Sequence, residues 1–248
     1  MFSFKFTIDF LFMWIRVATP ILWAALGASI CEKSGVVNLG LEGIMLIAAL
    51  FGVIGSAFGG GLFWGIAAGV LSAVVVSVLF AYFHLVLKAN SVLCGTAINT
   101  IAAGLTVFVL QLLTGEKGSS SSLNSFQFPT LNIPIVENIP VLGRILSGHN
   151  ILTYLGLLMV FLIHLFFYRT PIGLRIRAVG ETPKAAESVG INVVRIRLLA
   201  ILLCGIMAGF GGMYLSMGYL PMFTRDMVAG RGFIALAANA MGLSLIHI

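Results

Sequence analysis

Apolar positions run along this chain in long blocks broken by short polar segments, and their length is the first signal. A membrane-crossing helix needs roughly 20 predominantly apolar residues. Seven blocks meet or approach that length: about 8–30, 36–56, 62–87, 92–113, 151–168 and 198–220, with a seventh starting near Met227. The first is interrupted by Asp9, Arg16 and Pro20, which suggests a tilted or interfacial helix as readily as a full crossing. Gly59-Gly60-Gly61 makes a tight connection between the second and third blocks, and Lys88-Ala89-Asn90 joins the third to the fourth. The pattern predicts an all-α, polytopic membrane bundle of about seven spans, forming a single domain over 1–248.

Two interruptions are long. Residues 114–150 carry four consecutive serines, three prolines and several asparagines, an irregular loop with room for short helices. Residues 169–197 hold Arg169, Arg175, Arg177, Lys184, Arg195 and Arg197 against Glu181 and Glu187, a net +4. The first loop has Lys117 and Arg144 balanced by Glu116 and Glu137. Basic loops stay in the cytoplasm, so 169–197 is expected inside and 114–150 outside. Alternation then places Lys88 inside and the N-terminus outside, against the pull of Lys5 and Arg16.

Composition narrows the class. Apolar residues make up 60% of the 248 and charged residues 9%, with a formal net charge of +6. That is far below the charge of a soluble domain, and the basic residues sit between apolar blocks, so they orient the protein and do not point to nucleic acid. Cys31, Cys94 and Cys204 lack paired spacing, giving neither a disulfide framework nor a metal site, and read as small packing residues. Gly65 with Gly69, and Gly205, Gly209 and Gly212, are spaced for close helix contact in lipid. His84 and His164 fall near cytoplasmic helix ends and read as interfacial, with no second metal ligand near either.

The loop 170–193, TPIGLRIRAVGETPKAAESVGINV, encloses a small helix. Thr182 suits the N-cap, Pro183 the first helical position, Ala185 and Ala186 the interior, and Gly190 the end. It is either an amphipathic connector or a rigid grip for a partner. Its run GLRIRAVGETPKAAESVGI resembles the coupling loop of permease subunits of binding-protein-dependent ABC importers, in the branch for simple sugars, nucleosides and branched-chain amino acids. SGVVNLGLEGIML at 34–46 resembles a second signature of that branch, in the variant typical of nucleoside permeases, and VAGRGFIALAA at 228–238 a third.

The resemblance implies a pathway subunit that neither binds nor hydrolyses ATP, has no catalytic residues or cofactor of its own, and sits in the bacterial inner or plasma membrane. Its implied partners are an ABC ATPase subunit, a second permease subunit and an external substrate-binding lipoprotein. The residues agree in lacking a G-x-x-x-x-G-K-[ST] phosphate loop. By the same resemblance Arg177, Gly180, Glu181, Pro183, Ala185, Ala186 and Gly190 belong to the ATPase coupling loop. Nucleosides are the expected substrate, with a simple sugar or branched-chain amino acid as the alternative. An ion-coupled secondary transporter is the rival class, disfavoured because Glu42 is nearly alone among ionisable residues within the spans. The family continues with further helices after its third signature, and the tail LSLIHI resembles a truncated reading frame, so the natural protein is expected to be longer.

Polar residues inside the blocks are the candidate pathway. Asn38 and Glu42 are four apart, hence on one face of the second block's helix. They either line the pathway or pair internally, Glu42 with Lys33 or with a polar group of the fourth block. The glycines at 35, 40 and 43 suggest a broken or closely packed entry. Thr96, Asn99 and Thr100 share a face of the fourth block, as pathway residues or as interhelical hydrogen bonds. Arg225, Asp226 and Arg231 are expected outside the sixth span, docking a binding protein or pairing with each other.

Overall fold

The computed structural model describes residues 2–132, 145 and 147–247. In chain order its helices are α1 (Phe2–Glu32), α2 (Leu41–Gly59), α3 (Leu62–Ala81), α4 (Ser91–Thr114), α5 (Ile151–Arg169), α6 (Pro171–Glu181), α7 (Pro183–Ser188), α8 (Val193–Tyr214) and α9 (Arg231–His247). Wider π turns extend α3 over Tyr82–Val86 and α8 over Leu215–Tyr219. Two short strands, β1 (Thr130–Leu131) and β2 (His149–Asn150), pair antiparallel beside α5. The helix starts are written locally: Asn90, Asn150, Thr170 and Asn192 each accept a hydrogen bond from a first-turn N–H, satisfying donors the helix itself leaves open.

Among the described residues six helices are long and apolar enough to cross a membrane: Ile8–Glu32, Leu41–Gly59, Leu62–Val86, Ser91–Thr114, Ile151–Arg169 and Val193–Tyr219. The expected seventh, α9, has 17 residues and falls short of that length. The first block, doubtful in sequence, is a continuous helix that absorbs Pro20. Its outer half lies at the 114–150 end of the bundle. There Arg16 donates to the Tyr219 carbonyl at 3.1 Å and stacks over its ring, and Phe12 stacks on His149. Arg16 is thus held by the far end of α8, which gives its charge a partner within the bundle.

Helix α2 is the centre. Apart from Glu42 and Ser56 it is apolar, and 12 of its 19 residues are buried, as expected of a helix largely enclosed by others. Helices α3, α4, α8 and α9 pack around it, while α1 packs on α8 and α9, and α5 on α1. Small residues set the approach: Gly209 meets Ala73, and Gly205 lies on Ser77. Gly212 sits so close to the Met45 carbonyl that no side chain fits there. The outward faces of α3, α4 and α5 carry exposed Leu, Val, Phe and Trp, as lipid or a second subunit requires.

Pairs between α2 and α8 form a ladder. Arg197 donates to the Ser34 carbonyl, Asn38 meets Cys204, Gly212 meets Met45, and Ser216 donates to the Ala49 carbonyl. The two helices therefore run in the same direction, and α2 starts partway along α8. At 1.5 Å per residue, Glu42 is roughly 20 Å beyond the start of α8. Residues 34–40 climb into the bundle as irregular chain, so the second block is a broken entry followed by a helix. Non-helical backbone at membrane depth survives only when enclosed by protein or lining a cavity; here Ser34, Val36, Asn38 and Gly40 are buried.

Candidate functional site at the meeting of two helix starts

Since α2 begins at Leu41, Asn38 is not on its surface, and the expected common face with Glu42 does not exist. Asn38 is 1% exposed. Its Oδ1 accepts from the Gly40 N–H at 2.9 Å, shaping the turn into the helix, and its amide approaches the Cys204 sulfur at 3.8 Å. The start of α2 has no side-chain cap of its own. Asn99 of α4 supplies one from across the bundle: its Oδ1 accepts from the Gly43 N–H at 2.8 Å and its amide donates to the Leu39 carbonyl at 2.9 Å.

Glu42 does not pair with Lys33. Its two carboxylate oxygens accept from the N–H groups of Gly230 and Gly232, each at 2.7 Å. Gly230 is the cap position of α9, as its carbonyl accepts from the Ile234 N–H. Thus Asn99 caps α2, and Glu42 of α2 caps α9. The carboxylate lies at the positive ends of two helices and holds two donors, which offsets the cost of an acidic group at this depth. Gly232 is required by this contact, since a Cβ there would lie 2.8 Å from a Glu42 oxygen.

From this junction α9 runs back toward the end of α1, where the Asn239 amide donates to the Glu32 carboxylate. The segment before it reaches the outer loop, with the Arg225 N–H donating to the Gly118 carbonyl at 2.8 Å. Residues 225–230 therefore dip from the outer end to the start of α9. Arg225, Asp226 and Arg231 lie beyond the sixth span, which ends at Tyr219, as expected, but they do not stay at the level of its end. Arg225 and Asp226 border a cavity of about 500 Å³ with Leu46 of α2 and Ala103, Gly104 and Val107 of α4. Nor do the three pair with one another: the Arg231 guanidinium donates to the carbonyls of Met227 and Val228. Nothing in a linear reading marks this descent, because the pairing with Gly118 and the capping by Glu42 are both long-range.

The three polar residues of α4 separate. Asn99 turns to α2, whereas Thr96 and Thr100 are exposed, their hydroxyls bonded to carbonyls of their own helix. Thr96, Thr100, Ala103 and Val107 follow helical spacing, so the two threonines continue the cavity-lining face of α4 downward.

The basic loop folds as two helices. Its centre matches expectation: α7 has Pro183 in its first turn, Thr182 at the cap, and Gly190 at φ +83° beyond its end. Helix α6 before it carries the same signature, Thr170 capping with Pro171 next, a repeat of the Thr-Pro signal that the sequence itself carries. Ala186 is buried with Val179 and Val193 in a small core of the loop's own. Gly180 packs on the Lys33 carbonyl. These two hold the loop to itself and to the bundle; the expected partner-facing role is corrected for Ala186, which is buried, while Gly180 is half-buried. Arg177 lies over the Tyr168 ring at 4.8 Å, and Pro183 is half-buried. Of the residues expected to face a partner, Glu181, Ala185 and Gly190 are exposed, and Val189 at the tip is 73% exposed.

Among the described residues no group of His, Cys, Asp and Glu could hold a metal ion, and the three cysteines are free thiols.

The family model described as "Branched-chain amino acid transport system / permease component" matches residues 10–246. The guanosine ABC transporter permease protein NupQ of Bacillus subtilis is 36% identical over 232 residues, 91% of this chain and 72% of the relative. The nucleoside ABC transporter permease protein NupC of Lactococcus lactis is 34% identical over the same length and the same shares. A Haloferax volcanii permease named for glucose, TsgC13, is 34% identical over 227 residues, 90% of this chain and 67% of its own. No solved structure matches the chain. With its six membrane-length helices and these relatives, the chain belongs to the branched-chain amino acid transport system permease family, as a multi-pass permease of an ABC importer in the bacterial plasma membrane.

Proposed function

We propose that this permease forms part of the translocation pathway for nucleosides. The observation that carries the reading is its 36% and 34% identity, over nine-tenths of its length, to permeases named for guanosine and nucleosides. On this reading a substrate released by an external binding lipoprotein enters the cavity between α2, α4 and residues 225–226. It then passes along the Thr96 and Thr100 face of α4, and a second permease subunit closes the open side. Asn38, Asn99 and Glu42 hold the walls together and do not touch the substrate.

ATP binding and hydrolysis belong to a partner subunit that grips the exposed side of α7 through Glu181, Ala185 and Val189. Closure of that partner would press on α6 and α7. Gly180, packed on the turn at Lys33, then passes the displacement to the broken entry of α2. Binding energy that differs between the two states of the partner would shift the permease between outward- and inward-open forms.

The test is uptake by the reconstituted importer of labelled uridine, guanosine, ribose and leucine, with active and with inactivated ATPase. ATP-dependent uptake of the nucleosides supports the reading. Uptake of ribose or leucine alone overturns the substrate class, and accumulation driven by an ion gradient without ATP overturns the mechanism.

A further inference from the structure

The cavity brings together two charged side chains without protein partners. Arg225 and Asp226 border it, both are exposed, and among the described residues neither side chain makes a hydrogen bond or ion pair. Ionisable groups at the depth of a span are costly and mark pathways. The segment that carries them is strained: Asp226 stands at φ +55° and Ala229 at φ +47°. These are left-handed conformations that residues with a Cβ avoid unless their surroundings impose them, and such strain collects at ligand sites. Here the imposing contacts are visible, since the Arg225 N–H is held by Gly118 and the Gly230 N–H by Glu42. The turn between those anchors is fixed in shape, with its two charges aimed at open space.

The chemistry of the pair selects a ligand. A carboxylate only accepts hydrogen bonds and a guanidinium only donates. A hydroxyl does both, so two neighbouring hydroxyls can donate to Asp226 while accepting from Arg225. Among the described residues the remaining lining is Leu46, Ala103, Gly104 and Val107, an apolar wall suited to the face of a flat heterocycle. The volume of about 500 Å³ falls within the usual range for small-molecule sites.

We infer that Arg225 and Asp226 form a diol subsite that grips the 2′- and 3′-hydroxyls of a nucleoside in transit, while the base lies on the apolar wall whatever its identity. This rests on the nucleoside reading above; the shared chemistry, a vicinal diol, is also that of a free pentose. The permease itself then selects ribonucleosides over deoxynucleosides and is indifferent to the base.

The test uses the complete importer in proteoliposomes, with the binding lipoprotein unchanged, so that any altered ratio comes from this chain. Uptake of uridine, cytidine, adenosine, 2′-deoxyuridine and ribose is measured for the wild type, Asp226→Asn and Arg225→Met. Asparagine tolerates the left-handed conformation, so the first variant keeps the turn. Hydrogen bonds to charged groups are worth enough that each variant should lower uridine uptake about tenfold or more. Cytidine and adenosine should fall in parallel, with 2′-deoxyuridine changed by less than about twofold. Equal loss for uridine and 2′-deoxyuridine, no loss for either, or failure of both variants to assemble with the partner subunits overturns the diol subsite. If the wild type takes up ribose but no nucleoside, the nucleoside reading falls, and the subsite is judged on ribose against 2-deoxyribose by the same ratio.

Discussion

Replacing Glu42 tests the junction at which two helices begin. The carboxylate accepts two backbone N–H groups, at 2.7 Å from Gly230 and 2.7 Å from Gly232. A hydrogen bond to a charged group contributes about 1.5–3 kcal/mol, and a donor left unpaired in a buried place costs a similar amount. Glu42 is half-buried, so water can replace part of what is lost. Glu42→Ala should therefore weaken the start of α9 by about 3 kcal/mol. Glu42→Gln keeps one carbonyl acceptor and turns an NH₂ group toward the other donor, so it should lose less. The reading is hydrogen exchange of the segment 227–234 in the lipid-reconstituted protein. A loss of about 3 kcal/mol opens the cap roughly 100-fold more often, so exchange of the Gly230 and Gly232 amides should quicken by that factor in Glu42→Ala and by less in Glu42→Gln. The effect should be confined to α9 and its approach, with α3 and α5 unchanged. Unaltered protection in Glu42→Ala, or a glutamine variant looser than the alanine one, would refute the argument.

Other perturbations follow from the same contacts. Asn99→Leu removes both bonds to the start of α2 and should destabilise the protein by about 2–4 kcal/mol, read as a lower midpoint of thermal unfolding in detergent; Thr100→Val, on the exposed side, should leave it within about 0.5 kcal/mol. Gly212→Ala drives a methyl into the Met45 carbonyl and should cost about 1–3 kcal/mol, measured the same way, while Gly104→Ala, with open space around it, should not. His149 is buried against Phe12, and its Nε2 lies 2.8 Å from the Ile145 carbonyl. Burial, with the Arg16 charge nearby as a lesser influence, holds its pKa below the ordinary value of about 6.5. Neutral His149 is thus favoured in the folded state: its contribution is full above that ordinary value and is lost as pH falls from there toward the depressed folded value. Thermal midpoints measured across that window should fall more steeply for the wild type than for His149→Phe, and equal slopes would contradict the sign.

What a linear reading can and cannot reach is clear from two residues four apart. The apolar block lengths, the basic loop and the Thr-Pro helix starts are local properties. Composition and period alone therefore determined a multi-span all-α bundle and the small helix of the basic loop. The glycines around Asn38 even announced a broken entry. The partners of Glu42 were beyond reach, because they lie 188 and 190 residues away in sequence, and a carboxylate does not announce whether it meets lysine, substrate or backbone. Block length also gave no depth. Residues 225–230 form a short stretch opening with two charges, like many surface loops, and only the anchors at Gly118 and Glu42 pull them into the bundle. Sequence decided which segments could enter the membrane. Tertiary structure decided where two of them begin inside it, since a helix that starts at membrane depth must find its cap on another helix.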